Sequence, residues 1–184
     1  MSTIKTTNIT HGSNTGTNNL ILDDTGKVSI AEKKLHCPGQ IIQVVQAKKT
    51  DVATFSDSTW ETSTLECAIT PAYTTSDILV CYKVLIGSDG AYLRMSRLAR
   101  KIGSGSWGEV TNAFANVFAG SSQTTNHVNP IALDWMDDPS FSAGETVTYR
   151  VEINSGNGTM YINRWDASDT VRGASTITLY EIAK

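Results

Sequence analysis

The run ETVTYRVEI, residues 145–153, alternates strictly between apolar and polar side chains. Alternation with a period of two is typical of a half-buried β-strand, whose side chains point in turn toward a core and toward solvent. The predicted inward side chains are Val147, Tyr149, Val151 and Ile153, and the predicted outward ones are Thr146, Thr148, Arg150 and Glu152. A chain made of such runs folds into layered antiparallel sheets.

Similar runs recur along the chain, separated by turn residues. They are predicted at 40–47, 60–70, 77–87, 91–102, 128–138, 159–165 and 174–183. The run 77–87 is apolar on both alternations, so we expect a central strand that is covered on both faces. About eight to ten strands at regular intervals predict an antiparallel β-sandwich of the jelly-roll kind.

One segment departs from this pattern. Residues 108–122, GEVTNAFANVFAGSS, carry Val110, Phe114, Val117 and Phe118 at roughly helical spacing. The spacing predicts either a short helix or a long loop whose aromatic side chains pack on the sandwich.

The first 37 residues differ in composition from the rest, being rich in Thr and Asn and poor in large apolar side chains. Within them, NLILDDTGKVSI (19–30) predicts two short strands around a turn at Gly26. So short a segment cannot bury a core alone. We therefore expect an extended, β-rich N-terminal arm (1–37) for attachment or oligomerisation, followed by a sandwich domain (38–184).

Charge and hydropathy exclude several classes of protein. The net charge is −3 and there is no basic run, so the chain lacks the electrostatic footprint of nucleic-acid binding. No apolar stretch approaches the roughly 20 residues that span a bilayer. The N-terminus also lacks an apolar signal core. We expect the protein to fold where it is made, without membrane insertion.

Three cysteines are present, and this odd number argues against a disulfide framework. Cys67 and Cys81 lie in apolar runs and are predicted to be small buried hydrophobic residues. Cys37 follows His36, but a metal site needs more ligands than this pair supplies.

Two motifs invite a chemical interpretation. GSGSWG (103–108) matches G-x-G-x-x-G, but no acidic residue lies between Glu109 and Asp134, so a hairpin tip is predicted instead of a dinucleotide site. Asp134, Asp137 and Asp138 are the ligand type for calcium and for an acid pair in glycan cleavage. The competing interpretation is a solvated loop end. No cofactor or metal is predicted.

Tryptophans in turn-like segments suggest a sugar-binding surface. Trp107 lies in a Gly/Ser-rich turn, and Trp165 lies between Arg164 and Asp166. Aromatic rings among polar groups stack on sugars in many lectin-like surfaces. The competing interpretation is that each tryptophan covers the rim of a core.

Both ends of the chain resemble structural proteins of marine and cyanobacterial bacteriophages. HGSNTGTNNLILDDTGKVSI resembles the Asn/Gly/Thr-rich repeats that open tail-fibre-like proteins, and PGQIIQVVQAKKTD resembles the first strand of their C-terminal domain. YINRWDASDTVRGASTITLYEIAK resembles its last hairpin. The domain order also resembles the trimeric jelly rolls of the complement C1q and tumour-necrosis-factor type.

The resemblance implies a virion structural protein, made in the host cytoplasm, of the tail-fibre, head-fibre or capsid-decoration kind. It would form a homotrimer and contact other virion proteins through its arm. In the last strand, Ile177 and Leu179 would face one side and Tyr180 and Ile182 the other, divided between the core and neighbouring subunits. The alternative is a module that binds a saccharide receptor of the host through Trp107, Trp165, Arg164 and Asp166. A glycan-cleaving enzyme fits least, and no enzymatic activity is expected.

Overall fold

A computed structural model describes residues 8–9, 20–22, 28–30, 37–90, 92–119, 128–165 and 172–184. Before residue 37 and over 114–119 the description covers the backbone alone. All regular structure in these ranges is β-strand, so the predicted all-β class is confirmed. None of the described residues form a helix that is long and apolar enough to cross a membrane.

The arm contributes a small antiparallel sheet of three strands. They are β1 (Asn8–Ile9), β2 (Leu20–Leu22) and β3 (Val28–Ile30). β2 lies between the other two, and Leu20 is opposite Ile30. The two short strands predicted around the Gly26 turn are therefore confirmed, while the turn itself lies outside the described residues.

The remaining strands form two antiparallel sheets. The larger sheet contains β4 (Ile41–Lys49), β5 (Ala53–Phe55), β7 (Asp77–Ser88), β10 (Asn129–Asp137), β12 (Met160–Ile162) and β13 (Ser175–Ile182). The smaller sheet contains β6 (Glu61–Ile69), β8 (Tyr92–Ile102), β9 (Gly108–Ala119) and β11 (Val147–Asn154).

The strand order is that of a sandwich with crossing connections. In the larger sheet β7 is central: β10 pairs with one edge, and β13 followed by β12 pairs with the other, with β4 and β5 beyond them. The smaller sheet has the order β6-β11-β8-β9. The chain passes repeatedly from one sheet to the other, and the predicted antiparallel β-sandwich is confirmed.

The core lies between the two sheets and has the predicted composition. Val147, Tyr149 and Val151 are completely buried, and Ile153 is 1% exposed. From the facing sheet, alternate residues of β7 fill the other half, and the buried set is Ile78, Val80, Tyr82, Val84 and Ile86. Full burial of one large aliphatic side chain contributes about 1.5–3 kcal/mol, so these rows dominate the stability of the domain.

Segment 108–122 requires a correction, because residues 108–119 form strand β9 and not a helix or a loop. Glu109 of β9 pairs with Ala99 of β8, and Phe114 pairs with Arg97. Five residue steps on β9 thus lie opposite two steps on β8. Such a bulge shifts the alternation of side chains. Asn112, with a φ of 65°, lies within it. The bulge breaks the period of two between Val110 and Phe114, so this part of the strand does not show the usual alternation.

The sandwich has two ends, which we call the base end and the distal end. At the base end the arm joins the domain beside the C-terminus: Gly39 N donates to Ala183 O (2.7 Å) and Ala183 N donates to Gln40 O (2.9 Å). The base end comprises 37–40, 70–76, 103–107, 138–146 and 183–184. The distal end comprises 50–52, 56–60, 88–90, 155–159, 163–165 and 172–174.

A buried carboxylate links the last strand to the β6–β7 connection at the base end. Glu181 on β13 is completely buried. It accepts hydrogen bonds from the backbone N–H of Ala72 (2.8 Å), the hydroxyl of Ser76 (2.8 Å) and Nε2 of Gln43 (2.7 Å). These bonds satisfy the charge and tie the connection between β6 and β7 to the last strand.

Candidate interaction surface

The outward side of the larger sheet, which we call the outer sheet face, carries an apolar row. Val44 on β4 lies opposite Tyr180 on β13, Tyr180 lies opposite Leu79 on β7, and Leu79 lies opposite Met136 on β10. Val44 is 53% exposed and Met136 is 50% exposed, while the two central residues are half-buried. The row thus crosses the whole width of the sheet and is partly open to solvent.

The apolar character extends toward the base end and stops there. Ile182 lies opposite Ile41, which is 52% exposed. Beyond this pair lies a group of ion pairs, in which Lys184 Nζ is 2.8 Å from Oδ1 of Asp77 and from Oδ1 of Asp138. Hydrogen bonds to these carboxylates raise the pKa of Lys184. A charged rim therefore closes the apolar region at the base.

Toward the distal end the outer sheet face becomes polar. The next row contains Gln46, Thr178, Cys81 and Asp134, in which Gln46 Nε2 donates to the Thr178 hydroxyl at 2.9 Å. Burial, together with the neighbouring Asp134 carboxylate, raises the pKa of the Cys81 thiol to about 11. The exposed large apolar side chains of this face, Ile41, Val44 and Met136, therefore all lie in the half nearest the base.

The last strand divides its side chains as its pattern predicts. Ile177 and Leu179 are completely buried in the core, whereas Tyr180 and Ile182 lie on the outer sheet face. Their role between subunits stays a prediction. The alternation of β7 is also informative: Leu79, Cys81 and Leu85 are half-buried, so the described residues of one chain cover this second face only in part.

Sequence reasoning missed the other members of this surface. Ile41 and Val44 lie in the run QIIQVVQA, and Met136 lies among the carboxylates of the run DWMDD. The double alternation of 77–87 was the available signal, because it implied a second covered face and hence outward apolar partners on adjacent strands.

Trp107 lies at the base end, in the connection from β8 to β9. Two cations pack on its ring: the guanidinium of Arg150 is 4.2 Å and Nζ of Lys101 is 4.9 Å from the ring centroid. Such contacts stabilise a cation over an aromatic face. Trp107 therefore packs against two cations of the smaller sheet, and its contact with sugar stays a prediction. GSGSWG is a hairpin connection, as predicted.

Arg164 and Trp165 lie at the distal end. Arg164 packs over Tyr161, 4.7 Å from the ring centroid, and its Nη2 donates to the Thr54 hydroxyl at 2.6 Å. The Nε1 atom of Trp165 is inaccessible to solvent and has no hydrogen-bond partner among the described residues. The backbone of both residues packs on Gly87 of β7.

Trp107 does not share one site with Arg164 and Trp165. Strand β8 has 11 residues and runs from the distal end to the hairpin that carries Trp107. At about 3.3 Å per residue, it separates Trp107 from Trp165 by roughly 30 Å. Asp166 lies outside the described residues.

The distal end also contains a buried amide that links strands β4 and β13. Asn163 is completely buried and has a φ of 60°. Its Nδ2 donates to the carbonyls of Lys49 and Asp51, both at 2.9 Å, and its Oδ1 accepts from the Ser175 hydroxyl at 2.7 Å. An amide side chain that tolerates positive φ is required here, because it satisfies two carbonyls and a hydroxyl together.

The three clustered aspartates point in different directions. Asp134 lies on the outer sheet face, and Asp138 pairs with Lys184. Asp137 is buried, where it accepts bonds from the Tyr149 hydroxyl (2.6 Å) and from Arg100 (2.5 Å). Burial, and next the charge of Asp137, raise the pKa of Tyr149. The described part of the chain has no group of three His, Cys, Asp or Glu that could hold a metal ion.

The cysteines occupy different environments. Cys67 is buried, as predicted, and its burial raises the pKa of the thiol. Cys81 was predicted to be buried but is only half-buried, because it lies on the outer sheet face, and Cys37 is exposed at the base end. His36 lies outside the described residues. Comparison of the sequence with protein-family models and with curated proteins finds no match.

Proposed function

We propose that this chain is a non-enzymatic structural protein of a bacteriophage virion, as a tail fibre, head fibre or capsid decoration. Its arm anchors it to other virion proteins, and its sandwich is displayed as a homotrimer. The observation that supports the homotrimer is the apolar row on the outer sheet face, which consists of Val44, Tyr180, Leu79 and Met136. The virion assignment is supported by the resemblance of both chain ends to phage fibre proteins.

The shape of the apolar row favours its burial by a second copy of the chain. It runs from one edge strand of the sheet to the other, so neighbouring copies can match it along its whole length. Each large side chain that becomes fully buried contributes about 1.5–3 kcal/mol. Homo-oligomeric closure is a common way to cover apolar surface that a single domain leaves open.

Charges at the two edges of the same face support a cyclic arrangement. Lys48 lies on the edge strand β4, and Asp134 lies on the opposite edge strand β10. Both residues are exposed. In a closed ring the β4 edge of one copy approaches the β10 edge of the next, so opposite charges meet around the ring.

The position of the arm fits an anchored protein. The first residues of the domain, which follow the arm directly, are joined to the last strand at the base end through the hydrogen bonds between Gly39, Gln40 and Ala183. The distal loops then lie away from the attachment point. Host saccharide contact remains the alternative function, and in this geometry it falls to the distal end with Arg164 and Trp165, without Trp107.

Incorporation into particles tests the proposal. Phage carrying the chain without residues 1–37 should assemble particles that lack it, while the shortened chain accumulates in the lysate. The matched control is the full chain with Ala68→Glu, an exposed substitution on the smaller sheet. Equal incorporation of the shortened chain, or absence of the full chain from purified particles, would overturn the proposal.

A further inference from the structure

The pair Asn157–Gly158 is the one Asn-Gly sequence in the chain, and it lies in the distal loop between β11 and β12. Asn157 is exposed. Gly156 and Gly158 have φ values of 66° and 62°. Glycine adopts this left-handed conformation without steric cost, and its amide nitrogen is not shielded by a side chain.

The side chain of Asn157 lies against the nitrogen that follows it. Gly158 N donates to Asn157 Oδ1 at 2.8 Å. The carboxamide carbon Cγ is bonded to that oxygen, so the backbone nitrogen is already close to the carbon that it would attack. Holding two reacting groups in place removes much of the entropic barrier to their reaction.

A buried cation binds the carbonyl of the same peptide bond. Arg94 is completely buried, and its Nη1 donates to Asn157 O at 2.5 Å. The same guanidinium also binds the carbonyls of Ser155 and Thr159. When Gly158 N loses its proton, negative charge spreads onto Asn157 O, where the guanidinium stabilises it. This is the arrangement by which an oxyanion hole stabilises developing charge.

We propose that Asn157 is a site of intramolecular deamidation promoted by Arg94. Hydroxide removes the proton of Gly158 N, and the nitrogen attacks Asn157 Cγ. The bond from Cγ to Nδ2 breaks, ammonia leaves with a proton from water, and a succinimide forms. Water then opens the ring at either carbonyl to give aspartate or isoaspartate, so the net reaction consumes one water and releases one ammonia.

The product alters the distal loop. Aspartate or isoaspartate at 157 adds a negative charge near Asp89, whose carboxylate already accepts from Thr159 N at 2.9 Å. Isoaspartate also inserts a methylene into the main chain. The loop has little room to adjust, because a Cβ at Gly156 would meet the carbonyl oxygen of Leu93. The displayed end of the domain thus changes with the age of the protein.

The first test compares the folded protein with the same chain in denaturant, both in mildly alkaline buffer. Peptide mapping measures aspartate and isoaspartate at 157. Asn154 is the internal control, because its Nδ2 donates to Ser58 O and it is 6% exposed. We expect position 157 of the folded protein to react at least as fast as in the denatured chain, and Asn154 to be protected. Slower reaction at 157 in the folded protein would overturn the proposal.

The second test isolates the guanidinium. Arg94→Lys keeps a positive charge but loses the forked contact with the loop carbonyls. Loss of this charge-assisted bond should slow the reaction at 157 about tenfold in the folded protein and leave the denatured rate unchanged. Equal folded rates in the variant and the parent would reject the role of Arg94. If the variant fails to fold, the comparison of the parent in its two states still decides.

Discussion

Tyr180 on β13 lies directly opposite Leu79 on β7, and the two outward side chains form the centre of an apolar row across the larger sheet. Neither residue faces the core of its own sandwich. Directly opposed side chains on neighbouring strands reinforce one another, and here they present a continuous ridge. The relationship accounts for the apolar residues on both alternations of the central strand: one side fills the sandwich, and on the other side Leu79 belongs to the apolar row.

A charge placed in this row should prevent assembly. Tyr180→Glu introduces a carboxylate between Val44 and Leu79, and burying it without a partner costs several kcal/mol per subunit. We expect the variant to remain folded as a monomer. Analytical size-exclusion chromatography with light scattering measures the mass, and circular dichroism measures the fold. Ala68→Glu, which adds the same charge on the exposed side of β6, should leave the mass unchanged.

The backbone of Arg164 and Trp165 can pack on β7 only because residue 87 is a glycine. A Cβ at Gly87 would overlap the backbone carbonyl oxygens of Arg164 and Trp165. Gly87→Ala should therefore destabilise the domain by about 1–3 kcal/mol, the range found for overpacking of a filled site. Urea denaturation measures the change in the free energy of unfolding. Gly108→Ala is the matched control, because a Cβ there meets no atom within 4 Å. Equal stability of the two variants would contradict the packing described.

Alkaline pH should weaken the core through Tyr82. Burial raises the pKa of this tyrosine from 10.0 to about 12, against a lowering effect of its hydrogen bond with Ser96. A group whose pKa is higher in the folded state binds its proton more tightly there. The contribution of Tyr82 to the free energy of unfolding is therefore complete below pH 10, and it is lost as the pH rises from 10 to 12. The loss is about 3 kcal/mol for two pKa units.

The comparison with Tyr82→Phe isolates this residue. Phenylalanine keeps the ring in the core and removes the titrating hydroxyl. The free energy of unfolding of the parent should fall more steeply above pH 10 than that of the variant. Parallel curves would show that Tyr82 does not carry the effect.

The sandwich was predictable from sequence because its signal is local. The alternation of Val147, Tyr149, Val151 and Ile153 depends only on neighbours along one strand, and each of these residues is buried as expected. β9 was not predictable in this way. Its bulge at Asn112 moves the apolar side chains out of a period of two, and only the pairing with β8 shows that the segment is a strand.

The interaction surface was predictable only in part. Tyr180 and Ile182 were identified from the double alternation of their own strand. Val44 and Met136 were not, because their place in the row depends on strand register, which is set by long-range pairing. The same limit explains the tryptophans. Both lie in turn-like sequence, but strand length and direction place them at opposite ends of the domain.

The mass of the protein in solution tests the central claim most directly. Sedimentation equilibrium of the full chain at micromolar concentration should give three times the 19.9 kDa of a single chain. The mass should fall to that of one chain in the Tyr180→Glu variant. A full-length protein that sediments as a folded monomer at the same concentration would contradict the account, since the outer sheet face would then be exposed without a partner.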